Sequence, residues 1–506
     1  MISKTLTRAR LAGGELVDIV LRGGLVADVR PSGAVPHEGV ALDLDGRVVM
    51  PGLWDHHVHF DMWALKESRL DVSAARSAAE CAALVERRLR ERPPEPGATL
   101  VGTGFQDGTW PDSPTAESLD ARSGAVPVVL ISHDIHCAWL NTAALRRWEV
   151  RSDGLVREED CYALVARVND LPDEHLDALA AESVRRAHAR GVVGIVEFER
   201  RPNLDAWERR VRSGVTMRVA CGVYTDRLDD AIERGLATGD VLPGTRGLVE
   251  MGSFKIVVDG SLNTRTAWCH DAFPGLGGEG AFGVRAVGDD ELRELVARAH
   301  AAGIASAIHA IGDRANTLAL DTFERTGARG TVEHAQLLTG SDLGRFARLG
   351  VAASVQPRHV IDDRDVADRH WAGRTERAFP LASLLSAGAR VLLGSDAPVA
   401  PLDPWVSIAS AVSRAGLGQS PWHPEQRISV GQALRASTRH PRLAPGVPAD
   451  LVVLAADPHA LGAQELAAMP VEGTLIAGEP VYGAAGRLPD ARIGGAEFVG
   501  ITDEQR

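Results

Sequence analysis

Two histidines one residue apart, His57 and His59, close the segment PGLWDHHVHF. In an extended chain residues i and i+2 face the same side, so both imidazoles can address one cation. An isolated pair of this kind is more often a polar loop, but four further residues of ligand type stand downstream. Lys255 lies inside the apolar run SFKIVV, His309 ends IASAIHA, His334 ends GTVEHA and Asp396 ends RVLLGSD. Imidazoles, a carboxylate and a basic amine together suit a hard-to-borderline metal pair. Lys255 is one of only three lysines, with Lys4 and Lys66, in a chain whose other basic residues are all Arg. An unpaired ammonium in a buried strand is costly. Lys255 therefore either forms an ion pair or is kept neutral and nucleophilic by burial. A neutral amine there can form a Schiff base, or take up carbon dioxide as a carbamate able to bridge two metals.

The elements that must position these residues can be read from the same segments. Apolar strand candidates are GIVEFE (194–199), MRVACGV (217–223), SFKIVVDG (253–260), IASAIHAIG (304–312), GTVEHAQ (330–336), VAASVQP (351–357) and RVLLGSD (390–396), with GRVVMPGL (46–53) as an eighth at the front. Helical patterns separate them. In DDELRELVARAHAAG, Leu292, Leu295, Val296 and Ala299 fall on one face, with Asp289 or Asp290 as cap and Gly303 as stop. Eight strands with helical crossovers predict an α/β fold of the (β/α)8 TIM-barrel type, whose catalytic residues sit at the C-terminal strand ends. A doubly wound sheet is the competitor, but no G-x-G-x-x-G loop follows an early strand. Residues 1–50 and the chain from 426 to 506 contain short β-type segments and predict one small β domain built from both termini. The barrel then occupies 51–425, with an insertion over about 65–170 after its first strand.

Composition removes other classes. The chain has 506 residues with 55 basic and 68 acidic side chains, a net charge of −13 without a basic run, which argues against nucleic-acid binding. No apolar stretch approaches the ~18 residues of a membrane span. The start MISKTLTRARLAGGELVD lacks an apolar signal region and cleavage site. Cys81, Cys137, Cys161, Cys221 and Cys269 show neither metal spacing nor a disulfide framework. These features predict a cytoplasmic protein with no membrane or nucleic-acid partner.

The segments FKIVVDGSLNTRTAW, HAIGDRAN, VEHAQLL, SVQPRHVIDD and LLGSDAPVAPLDPW, together with the HxH pair, resemble the metal-dependent amidohydrolase superfamily. More closely they are similar to its YtcJ-like, amidohydrolase-3 branch, which includes N-substituted formamide deformylases. The resemblance implies a β-sandwich from the two termini, closed by ADLVVLAADP, and two divalent ions, zinc first, with manganese or iron as alternatives. It implies that His57, His59 and Asp396 hold the more buried metal and His309 and His334 the second, with carboxylated Lys255 as bridge and carbon dioxide as its source. It further implies hydrolysis of a C–N bond in an amide- or formamide-type small molecule by metal-activated hydroxide, with Asp396 as general base and then acid. Substrate contacts fall on His136 in SHDIHCAWLN, and on Asp259 and Arg265 in DGSLNTRTAW, which line the pocket or pin the loop by an ion pair. Barrels carrying such a sandwich often form homodimers. Two departures stand out: the connector TRHPRLAPGVP is short, and His56 beside the pair competes as a ligand. Three alternatives stay open: a mononuclear deaminase-type hydrolase with unmodified Lys255, a catalytically silent regulatory barrel, and a Schiff-base lyase.

Overall fold

The computed structural model describes residues 3–36, 39–107, 110–132 and 137–483. Its centre is an eight-stranded parallel sheet of β1 (Leu53–Val58), β2 (Val192–Glu197), β3 (Arg218–Val223), β4 (Val249–Val257), β5 (Ser306–Ala310), β6 (Gly330–His334), β7 (Ala352–Val355) and β8 (Val391–Leu393). Each strand pairs in parallel with the next. A parallel bridge from Val58 to Ala397 returns the exit of β8 to β1. There the Asp396 N–H donates to the His57 carbonyl and the His59 N–H to that of Ala397, both at 2.8 Å. The expected (β/α)8 barrel is the fold.

Strand residues such as Ile195, Val219, Met251, Ile308, Val332 and Leu393 are buried with Val184, Leu204, Leu292, Leu320, Phe346 and Ile408 of the surrounding helices in one continuous core. The helix Asp289–Ala301 shows why these segments fold as they do. Leu292, Val296 and Ala299 form its buried stripe, and Gly303, at φ 77°, lets the chain turn back toward β5. Gly288 takes the cap position expected of an aspartate, which leaves Asp289 and Asp290 in the first turn, where carboxylates favour the helix N-terminus.

The expected front strand GRVVMPGL divides at Gly52. Val48–Pro51 pairs with Lys4–Leu11 and Leu451–Leu454 in a terminal sheet, and β1 begins only at Leu53. A Cβ on Gly52 would stand 2.4 Å from a methyl of Val193, so the passage between sheets needs a residue without a side chain. The terminal sheet has eight strands drawn from both ends of the chain, around Leu6, Ile19, Leu21, Val26, Val49, Leu451 and Val453. Between β1 and β2 the chain carries a further five-stranded sheet, ordered Leu155–Arg157, Cys137–Leu140, Val128–Ser132, Leu100–Phe105, Leu70–Asp71. Among the described residues no helix is long and apolar enough to cross a membrane.

Candidate metal centre

The ends of the barrel strands bring the six ligand-type residues together. His57, Lys255, His309 and His334 belong to β1, β4, β5 and β6; His59 and Asp396 follow β1 and β8. At His334 and Asp396 the backbone enters the left-handed region, with φ of 72° and 56°, which turns each chain sharply as it leaves the barrel. All six line one cavity of about 420 Å³ at the C-terminal mouth. Oδ1 of Asp396 lies 3.5 Å from Nε2 of His57 and 3.5 Å from Nε2 of His59. Lys255 Nζ stands 3.3 Å from His57 Nε2 and 4.3 Å from the centre of the Phe198 ring. The His334 ring centre is 4.4 Å from that of His309 and 5.0 Å from that of His57.

Neighbouring groups decide which nitrogens are free. Glu333 Oε2 is 2.6 Å from His57 Nδ1. A carboxylate accepts, so Nδ1 carries the proton and Nε2 presents its lone pair toward Lys255 and Asp396. The Gly260 carbonyl, 3.4 Å from His309 Nε2, takes the proton of that nitrogen and leaves Nδ1 free. Asp55 Oδ1 accepts the backbone N–H groups of His57 and Ser395 at 3.2 and 2.9 Å, clipping β1 to the segment that carries Asp396.

Burial controls the protonation of the cluster. Desolvation pushes His59 down to about 4 and His309 to about 3, and holds His57 and His334 well below the usual histidine range, with Lys255 adding to all four shifts. These imidazoles are therefore neutral lone-pair donors at physiological pH. Burial also pulls the Lys255 amine below its ordinary range, against the opposing pull of Glu333 and Asp396, and lifts the Asp396 carboxyl. Neutral nitrogens and one carboxylate gathered out of water are the donor set of a divalent, borderline-soft cation. Two imidazole nitrogens of the cavity lining, His334 Nδ1 and His359 Nε2, are buried without a hydrogen-bond partner. The residues fit a metal. His57, His59 and Asp396 have ligand atoms within 4.8 Å of one another, and so do His334, His359 and Asp396.

Other expectations fare differently. Asp259 is buried but does not line the cavity. Its carboxylate accepts the backbone N–H groups of Trp268, Ile311 and Gly312 at 2.9, 3.0 and 2.8 Å, and lies 3.5 Å from His309 Nε2. It pins the loop after β4 through the backbone, where an ion pair was the expected device. Arg265 is exposed in a left-handed turn and is not among the cavity's lining residues. His136 lies outside the described residues. His56 points away from the cavity, its ring stacked near Trp54 with centres 6.3 Å apart, because alternate residues of β1 face opposite sides. His359 and Glu333 went unnoticed in the sequence. His359 occupies the first turn of a helix instead of a strand end, and Glu333 is masked by the adjacent His334. The only available signals were the motifs SVQPRH and VEH themselves.

A closed parallel barrel with this donor set at its C-terminal mouth is the architecture of a metal-dependent hydrolase. The sequence matches the amidohydrolase family (Amidohydro_3) over residues 40–482, and the chain belongs to that family. It is 26% identical to the putative amidohydrolase YtcJ of Bacillus subtilis, over 87% of this chain and 90% of that one. It is likewise 26% identical to the N-substituted formamide deformylase of Arthrobacter pascens, over 92% and 95%. Among solved structures it resembles an uncharacterized metal-dependent hydrolase from Pyrococcus furiosus, with a TM-score of 0.76, 26% identity and coverage of 90% and 100%.

Proposed function

We propose that this hydrolase cleaves the carbon–nitrogen bond of a small amide- or formamide-type substrate. The observation that carries the reading is the convergence of His57, His59, Lys255, His309, His334 and Asp396 on one cavity of about 420 Å³, a size suited to a small molecule. The formamide deformylase relative supports the bond type. Divalent ions, zinc first, would be held by the four histidines and Asp396, and such an ion supplies Lewis acidity that lets water ionise near ~7 and draws charge from a carbonyl.

The chain's own residues do the rest. Glu333 and the Gly260 carbonyl keep His57 and His309 in the tautomers that present a lone pair. Asp396 takes the proton of the attacking water at its carboxylate and returns it to the leaving nitrogen. The burial that raises the affinity of Asp396 for a proton brings its exchange toward neutral pH, where a group passing a proton both ways works best. Burial also favours the neutral amine of Lys255, the form that adds to carbon dioxide with release of one proton. The resulting carbamate would be a further oxygen donor among the residues that hold the ions. Tyr224 and Arg200, whose guanidinium lies 4.9 Å over the Tyr224 ring, form one wall of the cavity beside His59.

Amine release from a panel of N-formyl and N-acyl amines tests the reading. Asp396→Asn is expected to lower kcat/KM by about 10²–10⁴-fold, the span of a lost general acid–base group. Lys255→Ala is expected to abolish turnover, and both variants should keep the wild-type fold by circular dichroism. Near-wild-type hydrolysis by either one contradicts the mechanism.

A further inference from the structure

Asp396 stands between two groups of imidazoles. Its Oδ1 faces His57 and His59, each at 3.5 Å, whereas its Oδ2 lies 3.9 Å from Nε2 of His359. We propose that His359 is a metal ligand which, with His334 and Oδ2 of Asp396, holds an ion separate from the one surrounded by His57, His59 and Oδ1. The proposal rests on the metal-hydrolase reading and adds a residue that neither the strand-end pattern nor the six-residue ligand set contains.

The local fold explains how a helical residue reaches the centre. His359 is the third residue of the helix Pro357–His370, which starts directly after β7 with Gln356 as cap and Pro357 at the first position. Proline there costs no hydrogen bond and fixes the entry of the helix. Side chains in a helix lean toward its N-terminus, which here is the barrel mouth. His359 is 5% exposed and lines the cavity, and its ring lies 6.1 Å from that of His334 at an interplanar angle of 16°.

With the Gln336 amide turned over, its hydrogen bonding leaves one nitrogen for a cation. Nε2 of His359 is buried without a partner, and so is Oε1 of Gln336. The Gln336 amide nitrogen sits 3.3 Å from His359 Nδ1. A half-turn of that amide brings Oε1 to accept an Nδ1–H, which satisfies the Gln336 oxygen and leaves the lone pair on Nε2. A buried acceptor aimed at a carboxylate oxygen has no protein donor there, and a shared cation completes it. The ligand atoms of His334, His359 and Asp396 already lie within 4.8 Å of one another. A tetrahedral site with bonds of ~2.1 Å has ligand separations of about 3.4 Å, so small side-chain rotations close the set.

The test is a metal titration of the full-length, metal-stripped chain with zinc, and with cobalt for its visible absorption, the bound ions being counted by elemental mass spectrometry. Wild type is expected to take up two ions. His359→Ala is expected to take up one, or to bind the second at least about 100-fold more weakly, beyond the 10–100-fold typical of an outer-shell partner. The cobalt spectrum should lose the contribution of that ion. His359→Gln keeps much of the volume, guards against a folding defect in the alanine variant, and should lose the same ion. Two ions bound with affinities within 100-fold of wild type in either folded variant overturn the proposal, as does a wild-type chain that takes up only one. A wild-type chain that binds none overturns it together with the metal-hydrolase reading, so the two failures are distinguishable.

Discussion

Glu333 decides which face His57 shows to the cavity. Its Oε2 is 2.6 Å from Nδ1, both groups are buried, and Thr331 donates its hydroxyl to the other carboxylate oxygen. This contact fixes the ring and its tautomer, and a carboxylate on the far nitrogen strengthens an imidazole as a donor. Glu333→Gln is expected to weaken binding of the ion at His57 by about 10–100-fold while leaving the fold intact. Competition against a chromophoric chelator measures it, and unchanged affinity would mean that Glu333 does not orient His57. At this scale the candidate ligands are legible in the sequence because His57, His59, Lys255, His309, His334 and Asp396 interrupt or end apolar runs, where a polar residue needs a reason. Glu333 and His359 were not legible, since their roles come from a cross-barrel contact and from the lean of a helical side chain.

The barrel strands position this chemistry, and their closure is where the tolerance is smallest. β8 approaches β1 so closely that a Cβ on Gly394 would lie 2.8 Å from both Cβ and N of His57. Gly394→Ala must push β8 away or displace His57. It is expected to destabilise the chain by about 1–3 kcal/mol, the usual cost of overpacking, and to weaken metal binding with it. Urea unfolding of the metal-free protein checks the first part; a variant as stable as wild type would show that the seam can relax. Seven of the eight strands lie within a few residues of their apolar runs, and β4 begins earlier than its motif. β1 was misplaced because the run VVMPGLW is apolar on both sides of Gly52, and hydrophobicity alone cannot mark where a strand leaves one sheet for another. The same limit applies to Asp259 and Arg265. A carboxylate that gathers three backbone N–H groups looks, in sequence, the same as one that meets a substrate.

Across the whole molecule, three sheets divide the work. The terminal sheet is joined to the barrel where Val48–Pro51 runs into the start of β1, and the sheet between β1 and β2 is built from chain inserted after the first pair of candidate ligands. Between them the barrel keeps neutral nitrogens and one carboxylate out of water, an arrangement that is costly until a cation fills it. The central claim is that this cluster is a hydrolytic metal centre for C–N bonds, and metal dependence of amine release tests it most directly. The protein is purified without chelator or histidine tag, assayed on N-formyl and N-acyl amines, stripped of metal, and assayed again before and after zinc is restored with bicarbonate. The account predicts amine release that disappears with the metal and returns with it, at about two ions per chain. Amine release that survives complete removal of metal would contradict it.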